Sequence, residues 1–356
     1  MAALSTCLPL TRESAITAHG LIKPLIHETP VVTSRALDKL ASTPQELNGD
    51  TQAAKPTMRL WFKCENLQRM GAFKARGAFH AIEKLKQDPS WINDGGMTKG
   101  VVGFSSGNHA QALALAAKES NIPAYIVMPE IVRPNKITAT KGYGAEVILC
   151  GRFEREIAAA KIVAQKGARL VPPFDHPDVI LGQATAGLEL QNQVKHLDAI
   201  LAPCSGGGLL SGTAVSCEGT SVRVFGAEPE FEGADDVRRG FLTGQRITQV
   251  KTNTIADGLI GVCGVHTWGV IYERKLVQAM FAVTEEQILE ATRLVFERLK
   301  MVVEPSAAVP LAVVLYNEEF RTLVEHEAGK AGWDIGIILS GGNMSAEGFA
   351  KLFAPK

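Results

Sequence analysis

The chain has 356 residues, in which 37 lysines and arginines balance 37 aspartates and glutamates, so its formal net charge at pH 7 is zero. This balance argues against nucleic acid and acidic membrane surfaces as partners, because both attract proteins with an excess of basic residues. With 46% hydrophobic and 21% charged residues the composition is that of a globular protein. The length favours two lobes, since single cores rarely grow beyond roughly 250 to 300 residues.

The N-terminal region carries no signal of secretion. Residues 1–11 are mildly apolar and the first basic side chain is Arg12, so no signal peptide is expected. The apolar stretch 307–315 contains Pro310 and is far shorter than the roughly 20 residues that span a bilayer. The 6 cysteines are scattered, with no Cys-x-x-Cys pair and no histidine cluster at metal-ligand spacing, which argues against disulfides or a zinc site. We therefore expect a soluble, cytoplasmic protein.

Short apolar runs alternate with longer amphipathic segments from about residue 99 onward, a pattern typical of β-α units that form a mostly parallel sheet. The runs predict strands at 101–104, 124–128, 146–150, 169–171, 199–202, 222–227 and 334–339. The segments between them predict helices at 109–120, 134–142, 154–167 and 182–194. A capping box from Thr284 to Gln287 predicts a further helix, and the polar stretch 42–56 predicts a loop.

Three predicted strands end in small polar residues, and such junctions are where open α/β sheets usually bind ligands. Residues 105–109, Ser-Ser-Gly-Asn-His, precede a helix whose unpaired N–H groups could hold a carboxylate, with plain helix capping as the alternative. In the segment 204–212 three consecutive glycines could turn several N–H groups onto one phosphate, with a tight turn as the alternative. Since it has neither a Walker nor a Rossmann pattern, a single phosphate is favoured over a dinucleotide. Residues 340–343, Ser-Gly-Gly-Asn, follow the third of these strands and by themselves predict no particular ligand.

Lys74 lies in the segment Gly-Ala-Phe-Lys-Ala-Arg-Gly-Ala at 71–78. A single lysine is usually a solvated surface charge. Here it follows an aromatic residue and stands among glycines and alanines, which would suit a partly desolvated amine with a lowered pKa beside a bulky planar group.

Together these four segments resemble the fold-type II pyridoxal-phosphate enzymes, the tryptophan synthase β family, and within it the serine racemase and serine/threonine dehydratase group. The likeness runs from about residue 33 to 343, and it includes Ala-Glu-Pro (227–229), Ala-Asp-Asp (234–236), Thr-Ile-Ala-Asp-Gly-Leu (254–259) and Glu-Pro-Ser-Ala-Ala (304–308). It implies a two-domain α/β fold in which each domain is an open, mostly parallel sheet with helices on both faces. The large domain would comprise 1–98 and 167–356, and a small domain, 99–166, would close over the substrate.

The resemblance assigns pyridoxal 5′-phosphate to a defined set of residues. Lys74 would form the Schiff base with the cofactor aldehyde and act as the base at the substrate Cα. Phe73 would pack on the ring and Asn108 would bond its 3′ oxygen. The phosphate would be cradled by Ser205, Gly206, Gly207, Gly208 and Leu209, with Ser205 in place of a more common glycine. Glu304 and Ser340 complete this set, and Ser340 would face the pyridine nitrogen.

Two serines bear on the outcome of the reaction. A hydroxyl at Ser340 cannot hold the pyridine protonated as an aspartate does, so transamination is disfavoured relative to β-elimination or return of a proton to Cα. Racemisation needs an acid or base on each face of the cofactor, and Lys74 serves only one. Ser106, where many dehydratases have alanine, could serve the other; a helix cap or a carboxylate-binding hydroxyl is the alternative.

The resemblance also suggests sites for effectors. In the racemase and hydroxyaspartate dehydratase branch the matching segments bind Mg²⁺ or Ca²⁺, which here implies Glu228, Asp236 and the carbonyl of Ala234 as ligands. The loop between Glu228 and Ala234 has two residues more than the racemase pattern. Tyr143, Lys300 and Asn343 match in part the nucleotide site of the racemases, which implies ATP as an effector.

We therefore expect a serine racemase that also eliminates water from L-serine and related hydroxy amino acids, acting as a homodimer. An L-serine/L-threonine ammonia-lyase or a threo-3-hydroxyaspartate dehydratase without racemisation is the alternative within enzymes. A cysteine synthase-like enzyme fits the motifs less well, and a non-catalytic protein that binds pyridoxal phosphate is the alternative from another class.

Overall fold

The computed structural model describes residues 4–46, 53–132, 134–151 and 154–354. The loop predicted at 42–56 lies partly outside these ranges. Within them the strands are β1 (Val31–Val32), β2 (Met58–Cys64), β3 (Val101–Phe104), β4 (Ala124–Pro129), β5 (Glu146–Cys150), β6 (Arg169–Leu170), β7 (Ala199–Pro203), β8 (Arg223–Pro229), β9 (Ala279–Val283) and β10 (Trp333–Leu339).

These strands form two sheets. The larger is six-stranded in the order β1-β2-β10-β7-β8-β9, and the smaller is four-stranded in the order β5-β4-β3-β6. Every pairing is parallel except that of β1 with β2. Both sheets are thus open and mostly parallel, as predicted.

Helices connect and cover the strands. They are α1 (Arg12–Ile22), α2 (Arg35–Ser42), α3 (Lys74–Lys86), α4 (Pro89–Asn93), α5 (Gly96–Lys99), α6 (Asn108–Glu119), α7 (Pro134–Gly142), α8 (Arg155–Lys166), α9 (Pro177–Gln193), α10 (Gly208–Cys217), α11 (Asp236–Thr243), α12 (Val265–Trp268), α13 (Glu285–Leu294), α14 (Pro305–Tyr316), α15 (Glu318–Ala328) and α16 (Ala346–Leu352). Two π-helical turns follow α12 and α13, at Gly269–Glu273 and Val295–Leu299. Among the described residues, no helix is long and apolar enough to cross a membrane.

The predicted elements are present, with shifted ends. The capping box at Thr284 forms as predicted and starts α13. The helix predicted at 182–194 begins instead at Pro177, because proline suits the first helical position and His176 caps the N–H of Asp178. Strand β6 pairs with β3, so the four-stranded sheet extends to residue 170.

Strand β2 lies beside β10 in the larger sheet and was not predicted from the sequence. Its register places Leu60 against Ile335 and Lys63 against Ile338. Lys63 interrupts the apolar run that would mark a buried strand, yet it is fully buried. Its amine donates to Glu189 of α9 at 2.7 Å, which pairs the buried charge. The pairing explains why a charged residue is tolerated here.

Helix α9 connects several parts of the fold. Fourteen of its residues, from Pro177 to Leu190, are buried. It packs against α1, α3 and α10. The core of the larger sheet is formed by side chains of β2, β7, β10 and α14, including Phe62, Leu201 and Ile337. These helices and strands carry the loops that form the candidate site at the carboxyl ends of the strands.

Candidate active site

Lys74 is the first residue of α3, and its position is held by contacts to the loop after β10. The N–H of Phe73 donates to the carbonyl of Ser340 at 3.0 Å, and Ala72 pairs with Gly341 as an isolated bridge. The Lys74 Nζ donates to the carbonyl of Pro173 at 2.6 Å and lies 5.0 Å from the centre of the Phe73 ring. Burial lowers the Lys74 pKa to about 8. Roughly a tenth to a quarter of this amine is therefore neutral, and nucleophilic, between about pH 7 and 7.5, far more than for an ordinary lysine.

Asn108, Glu304 and Asn343 form a hydrogen-bonded cluster next to this loop. The Asn108 Nδ2 donates to the two carboxylate oxygens of Glu304 at 3.2 and 3.0 Å. The Asn343 Nδ2 donates to Asn108 Oδ1 at 2.8 Å, and its backbone N–H donates to Glu304 at 3.1 Å. Burial first, and then Asp257, raise the Glu304 pKa to about 7. The cluster thus orients the Asn108 amide through a carboxyl group that can be protonated near neutrality.

The glycine loop after β7 is compact because side chains fill the space that a Cβ would need. A Cβ on Gly206 would lie 2.3 Å from the ring of Phe174. Gly207 has φ +86°, and a Cβ there would lie 2.8 Å from Thr267. Helix α10 begins at Gly208, so its first N–H groups have no partner within the helix. The loop therefore presents a helix N-terminus that suits a phosphate group.

Ser205 lies at the start of this loop. Its hydroxyl accepts from the N–H of Gly261 at 3.0 Å and donates to the Gly261 carbonyl at 3.2 Å. The Ser205 hydroxyl therefore bridges the glycine loop to the segment after the Thr-Ile-Ala-Asp-Gly-Leu motif.

The segment 171–175 links these parts and was not singled out from the sequence. Besides Pro173, which accepts from Lys74, it contains Phe174, which packs on the glycine loop, and Asp175. The Asp175 carboxylate accepts the N–H groups of residues 265, 266 and 267 at 2.8, 2.8 and 3.2 Å. The only sequence signal was its position, directly after a predicted strand.

His109 contacts the same segment. Its Nε2 donates to the carbonyl of Val171 at 3.0 Å. Burial, and secondly the charge of Lys74, lower the His109 pKa to about 3, so the ring is neutral. It serves as a neutral hydrogen-bond donor that fixes the start of α6.

Ser106 lies in the turn between β3 and α6. The residue that caps α6 is Gly107, and no side chain caps this helix. The Ser105 hydroxyl accepts the N–H of Gly107 at 3.2 Å, which closes the turn. Ser106 is partly buried. Its hydroxyl is therefore not used as a helix cap, which removes one alternative interpretation of this residue.

Glu228 and Asp236 are both buried, at the end of β8 and the start of α11. Glu228 accepts the N–H groups of Val237 and Arg238 at 3.1 and 2.8 Å, and Asp236 accepts that of Cys263 at 3.1 Å. Burial and the neighbouring Asp236 raise the pKa of Glu228 well above its ordinary value, and burial raises that of Asp236 to about 6. Ala234, also buried, lies in the connecting loop. Two buried carboxyl groups that repel each other fit a cation site.

The three residues that the resemblance assigns to a nucleotide site lie in environments that differ from one another. Asn343 belongs to the cluster with Asn108 and Glu304. Tyr143 packs against the apolar cluster around α3 and α6. Lys300 is exposed and has φ +61°.

Comparisons with known proteins agree with this site. A family model described as "Pyridoxal-phosphate dependent enzyme" matches residues 22–341. The serine racemase of Dictyostelium discoideum is 40% identical over 341 residues, 94% of this chain and 95% of that protein. The L-threo-3-hydroxyaspartate ammonia-lyase of Saccharomyces cerevisiae is 40% identical over 352 residues, 97% of each chain. Maize serine racemase superimposes with a TM-score of 0.84 at 38% identity, covering 96% of each chain.

The chain therefore belongs to the pyridoxal-phosphate dependent enzymes. Its two parallel sheets flanked by helices match those of the fold-type II members, so the predicted fold class and family are confirmed. The residues present fit the cofactor. The Lys74 amine, which is partly buried and has a lowered pKa, contacts Pro173, and the next residue, Phe174, packs against a glycine loop with no room for a Cβ.

Proposed function

We propose that this enzyme interconverts L- and D-serine and also eliminates water from L-serine and related hydroxy amino acids. The observation that carries the proposal is the placement of Lys74, a partly buried amine with a pKa of about 8, beside the segment that packs on the glycine loop. Relatives named serine racemase and L-threo-3-hydroxyaspartate ammonia-lyase, each about 40% identical over nearly the whole chain, support both activities.

Pyridoxal phosphate, when bound, supplies an electron sink that stabilises negative charge at the Cα of an amino acid. Lys74 would hold its aldehyde carbon, the loop of Ser205 to Leu209 its phosphate, and Ser340 its pyridine nitrogen. Phe73 would pack on its ring, and Asn108, oriented by Glu304, would bond its 3′ oxygen. The turn 105–108 would hold the substrate carboxylate.

Once the substrate amine takes its place at the aldehyde carbon, the freed neutral amine of Lys74 would remove the Cα proton of L-serine. Lys74 can return this proton to the same face, or pass it to the β-hydroxyl, which then leaves as water. A proton donated from the opposite face gives D-serine, and we assign that donor to Ser106, whose hydroxyl does not cap α6. Ser340, as a neutral hydroxyl, does not hold charge on the pyridine nitrogen, which disfavours transamination.

The alternative within enzymes is a lyase for L-serine, L-threonine or 3-hydroxyaspartate without racemisation. The named ammonia-lyase relative supports it. Ser106 separates the two proposals, because only racemisation needs a group on the second face.

The test is a comparison of Lys74→Ala and Ser106→Ala with the wild type in two assays, chiral analysis of serine and release of 2-oxo acid. We expect Lys74→Ala to lose both activities and the visible absorbance of the lysine-bound cofactor. Ser106→Ala should retain elimination from L-serine but lose D-serine formation, by about 100-fold or more, the usual contribution of a general acid or base. Ser105→Ala, which removes a hydroxyl from the same turn, is the comparison variant and should lower both activities alike, because it alters the turn that holds the substrate carboxylate and not the second face.

Equal loss of both activities in Ser106→Ala would contradict its role as the second-face donor. Full activity of Lys74→Ala would contradict the proposed chemistry as a whole. A wild type that binds pyridoxal phosphate but releases no product from serine, threonine or 3-hydroxyaspartate would favour the non-catalytic binding protein.

We further propose that Glu228, Asp236 and the Ala234 carbonyl bind Mg²⁺ or Ca²⁺. The burial and raised pKa values of the two carboxyl groups support this, since a hard cation would offset their repulsion. The small domain at 99–166 that closes over the substrate, the homodimer, the cytoplasmic location and the ATP site at Tyr143, Lys300 and Asn343 stay predictions.

A further inference from the structure

Three potential metal ligands converge at the start of α9, and none of them is used in the proposed reaction. The side chains of Cys7, His176 and Asp178 each offer one ligand atom, and these atoms lie within 4.8 Å of one another. The Cys7 Sγ lies 4.0 Å from His176 Nε2 and donates to Asp178 Oδ2 at 3.6 Å. The His176 Nδ1 lies 3.8 Å from the same Asp178 oxygen. The two distances from the Cys7 Sγ are close to those between ligands of one ion at bond lengths of about 2.0 to 2.3 Å.

The Asp178 carboxylate is incompletely satisfied. The residue is only 3% exposed, and its Oδ1 atom is buried without a hydrogen-bond partner among the described residues. Buried carboxylate oxygens normally have a partner, because an unpaired one loses its hydration without compensation. A small cavity lined in part by His176 and Asp178 adjoins the cluster. Oδ2 of the same carboxylate faces Cys7 and His176, so a cation bound to this carboxylate would compensate for the hydration that its unpaired Oδ1 has lost.

We propose that Cys7, His176 and Asp178 bind a Zn²⁺ ion. A thiolate, an imidazole and a carboxylate are the ligands that zinc takes, whereas Mg²⁺ and Ca²⁺ prefer oxygen alone. The thiolate and the carboxylate together balance the charge of the ion. The adjoining cavity leaves room for water as the fourth ligand.

Binding exchanges a proton for the ion. In the metal-free protein the Cys7 thiol donates to Asp178, and this proton leaves to solvent when the sulfur binds the metal. His176 accepts the Asp178 N–H through Nδ1 at 3.2 Å. When Nε2 binds zinc, the imidazole proton moves to Nδ1, which then no longer accepts the Asp178 N–H.

The site would attach the N-terminal segment to the main body of the enzyme. Cys7 is separated from His176 by 169 positions in the chain. His176 directly follows Asp175, which caps α12, and Pro173, which accepts from Lys74, is close by in the chain. Zinc at this position would therefore stabilise the segment that lies between Lys74 and the glycine loop.

The test is a titration of metal-free holoenzyme with Zn²⁺, and separately with Co²⁺, in excess Mg²⁺ so that the carboxylate pair of Glu228 and Asp236 is occupied. We expect one zinc equivalent and, with cobalt, an absorption band from thiolate ligation. Cys7→Ser should lose that band and weaken zinc binding by at least about 100-fold, since even outer partners of metal ligands contribute about 10- to 100-fold. His176→Asn should weaken zinc binding likewise, although asparagine keeps the cap of α9.

Cys150→Ser is the matched control, because Cys150 is another nearly buried thiol, at the end of β5, and it should bind zinc as the wild type does. Absence of zinc binding by the wild type, or unchanged affinity in Cys7→Ser or His176→Asn, would overturn the proposal. Should Cys7→Ser fail to fold, which circular dichroism would show, the His176→Asn variant decides. None of these results bears on the activity assigned to Lys74.

Discussion

Lys74 shows how one residue's surroundings set its chemistry. It begins α3 and is partly buried beside the Phe73 ring, where its amine donates to the Pro173 carbonyl. Burial disfavours the charged form, so the pKa falls from 10.5 to about 8. The sequence predicted a desolvated amine from its small neighbours, but its hydrogen-bond partner lies 99 positions away in the chain and was not foreseeable.

The lowered pKa predicts the pH dependence of cofactor capture. The neutral amine attacks the cofactor aldehyde, so the rate at which apoenzyme binds pyridoxal phosphate should rise with pH through about 8 and then level off. Rapid-mixing absorbance measurements between about pH 6 and 10 would show the midpoint. A rise that continues toward 10.5, as for an ordinary lysine, would contradict the assigned environment.

Glu304 predicts a pH-dependent stability. Burial raises its pKa from 4.5 to about 7, so the ionised form is less stable in the folded state than in the unfolded one. The carboxyl group therefore costs no stability below about pH 4.5 and an increasing amount as the pH rises to 7, about 3 kcal/mol at most. Glu304→Gln apoenzyme should be more resistant to urea than the wild type above pH 7 and similar to it near pH 5.

The control for this comparison is Glu347→Gln, which changes an exposed carboxylate on α16. It should leave the urea midpoint nearly unchanged at both pH values, because exposed ion pairs contribute little. A constant offset between Glu304→Gln and the wild type at all pH values would show that the Glu304 charge is not the cause.

At the scale of elements, the glycine loop depends on the turn into α10. Gly207 and Gly219 both have left-handed φ, +86° and +73°, so alanine at either costs about 1 to 2 kcal/mol of backbone strain. Only at Gly207 would the new Cβ also meet a neighbour, Thr267 at 2.8 Å, whereas Gly219 has open space around it.

We therefore expect Gly207→Ala to weaken binding of pyridoxal phosphate by more than about tenfold, since a shift of the loop loses phosphate contacts worth at least about 1.4 kcal/mol. Gly219→Ala, the matched control, should keep the wild-type affinity and lose only stability. Equilibrium titration of apoenzyme and urea unfolding separate the two effects. Equal affinities in the two variants would show that the loop does not hold the phosphate.

A buried ion network joins three elements behind the candidate site. Arg76 of α3 donates to Glu65 and to Glu189, and Lys63 of β2 donates to Glu189 as well. All four side chains are at most 2% exposed. Each charge has an opposite partner, so the network aligns β2, α3 and α9 and thereby the start of α3, where Lys74 lies. The network could not be predicted from the sequence, because a single charged residue in an apolar run has the same pattern whether its side chain is exposed or buried against a distant partner.

At the scale of the molecule, the two sheets are linked by contacts across the candidate site. Asn108 begins α6, which packs on the four-stranded sheet, and Glu304 directly precedes α14, which packs on the six-stranded sheet. The Asn108 side chain donates to Glu304 at 3.0 Å and so links the two. Lys136 of α7 pairs with Asp257 at 3.2 Å. These contacts bring the carboxyl ends of both sheets together, which is where the substrate would be enclosed.

Global stability should respond to Mg²⁺ through the buried carboxyl pair. A ligand that binds only the folded state stabilises it, by about 2.7 kcal/mol at 100 times its Kd. We expect the wild-type Tm to rise with Mg²⁺. Glu228→Gln removes the repulsion with Asp236 but also one acceptor of the Val237 and Arg238 N–H groups, and its Tm should not respond to the ion. Glu230→Gln, an exposed neighbour, is the control and should respond as the wild type does. Thermal unfolding that shows a Mg²⁺ response in Glu228→Gln would contradict the site.

The sequence by itself determined the β-α alternation, the mostly parallel sheets and the loops at strand ends, because apolar runs, capping residues and glycines act over a few neighbouring positions. The motifs at 71–78, 105–109 and 204–212 identified the family for the same reason. Only the tertiary structure decided that β2 lies beside β10, that Phe174 fills the glycine loop, and that Cys7 meets His176 and Asp178. Those contacts join residues far apart in the chain, and they depend on how helices such as α9 pack, which no local pattern specifies.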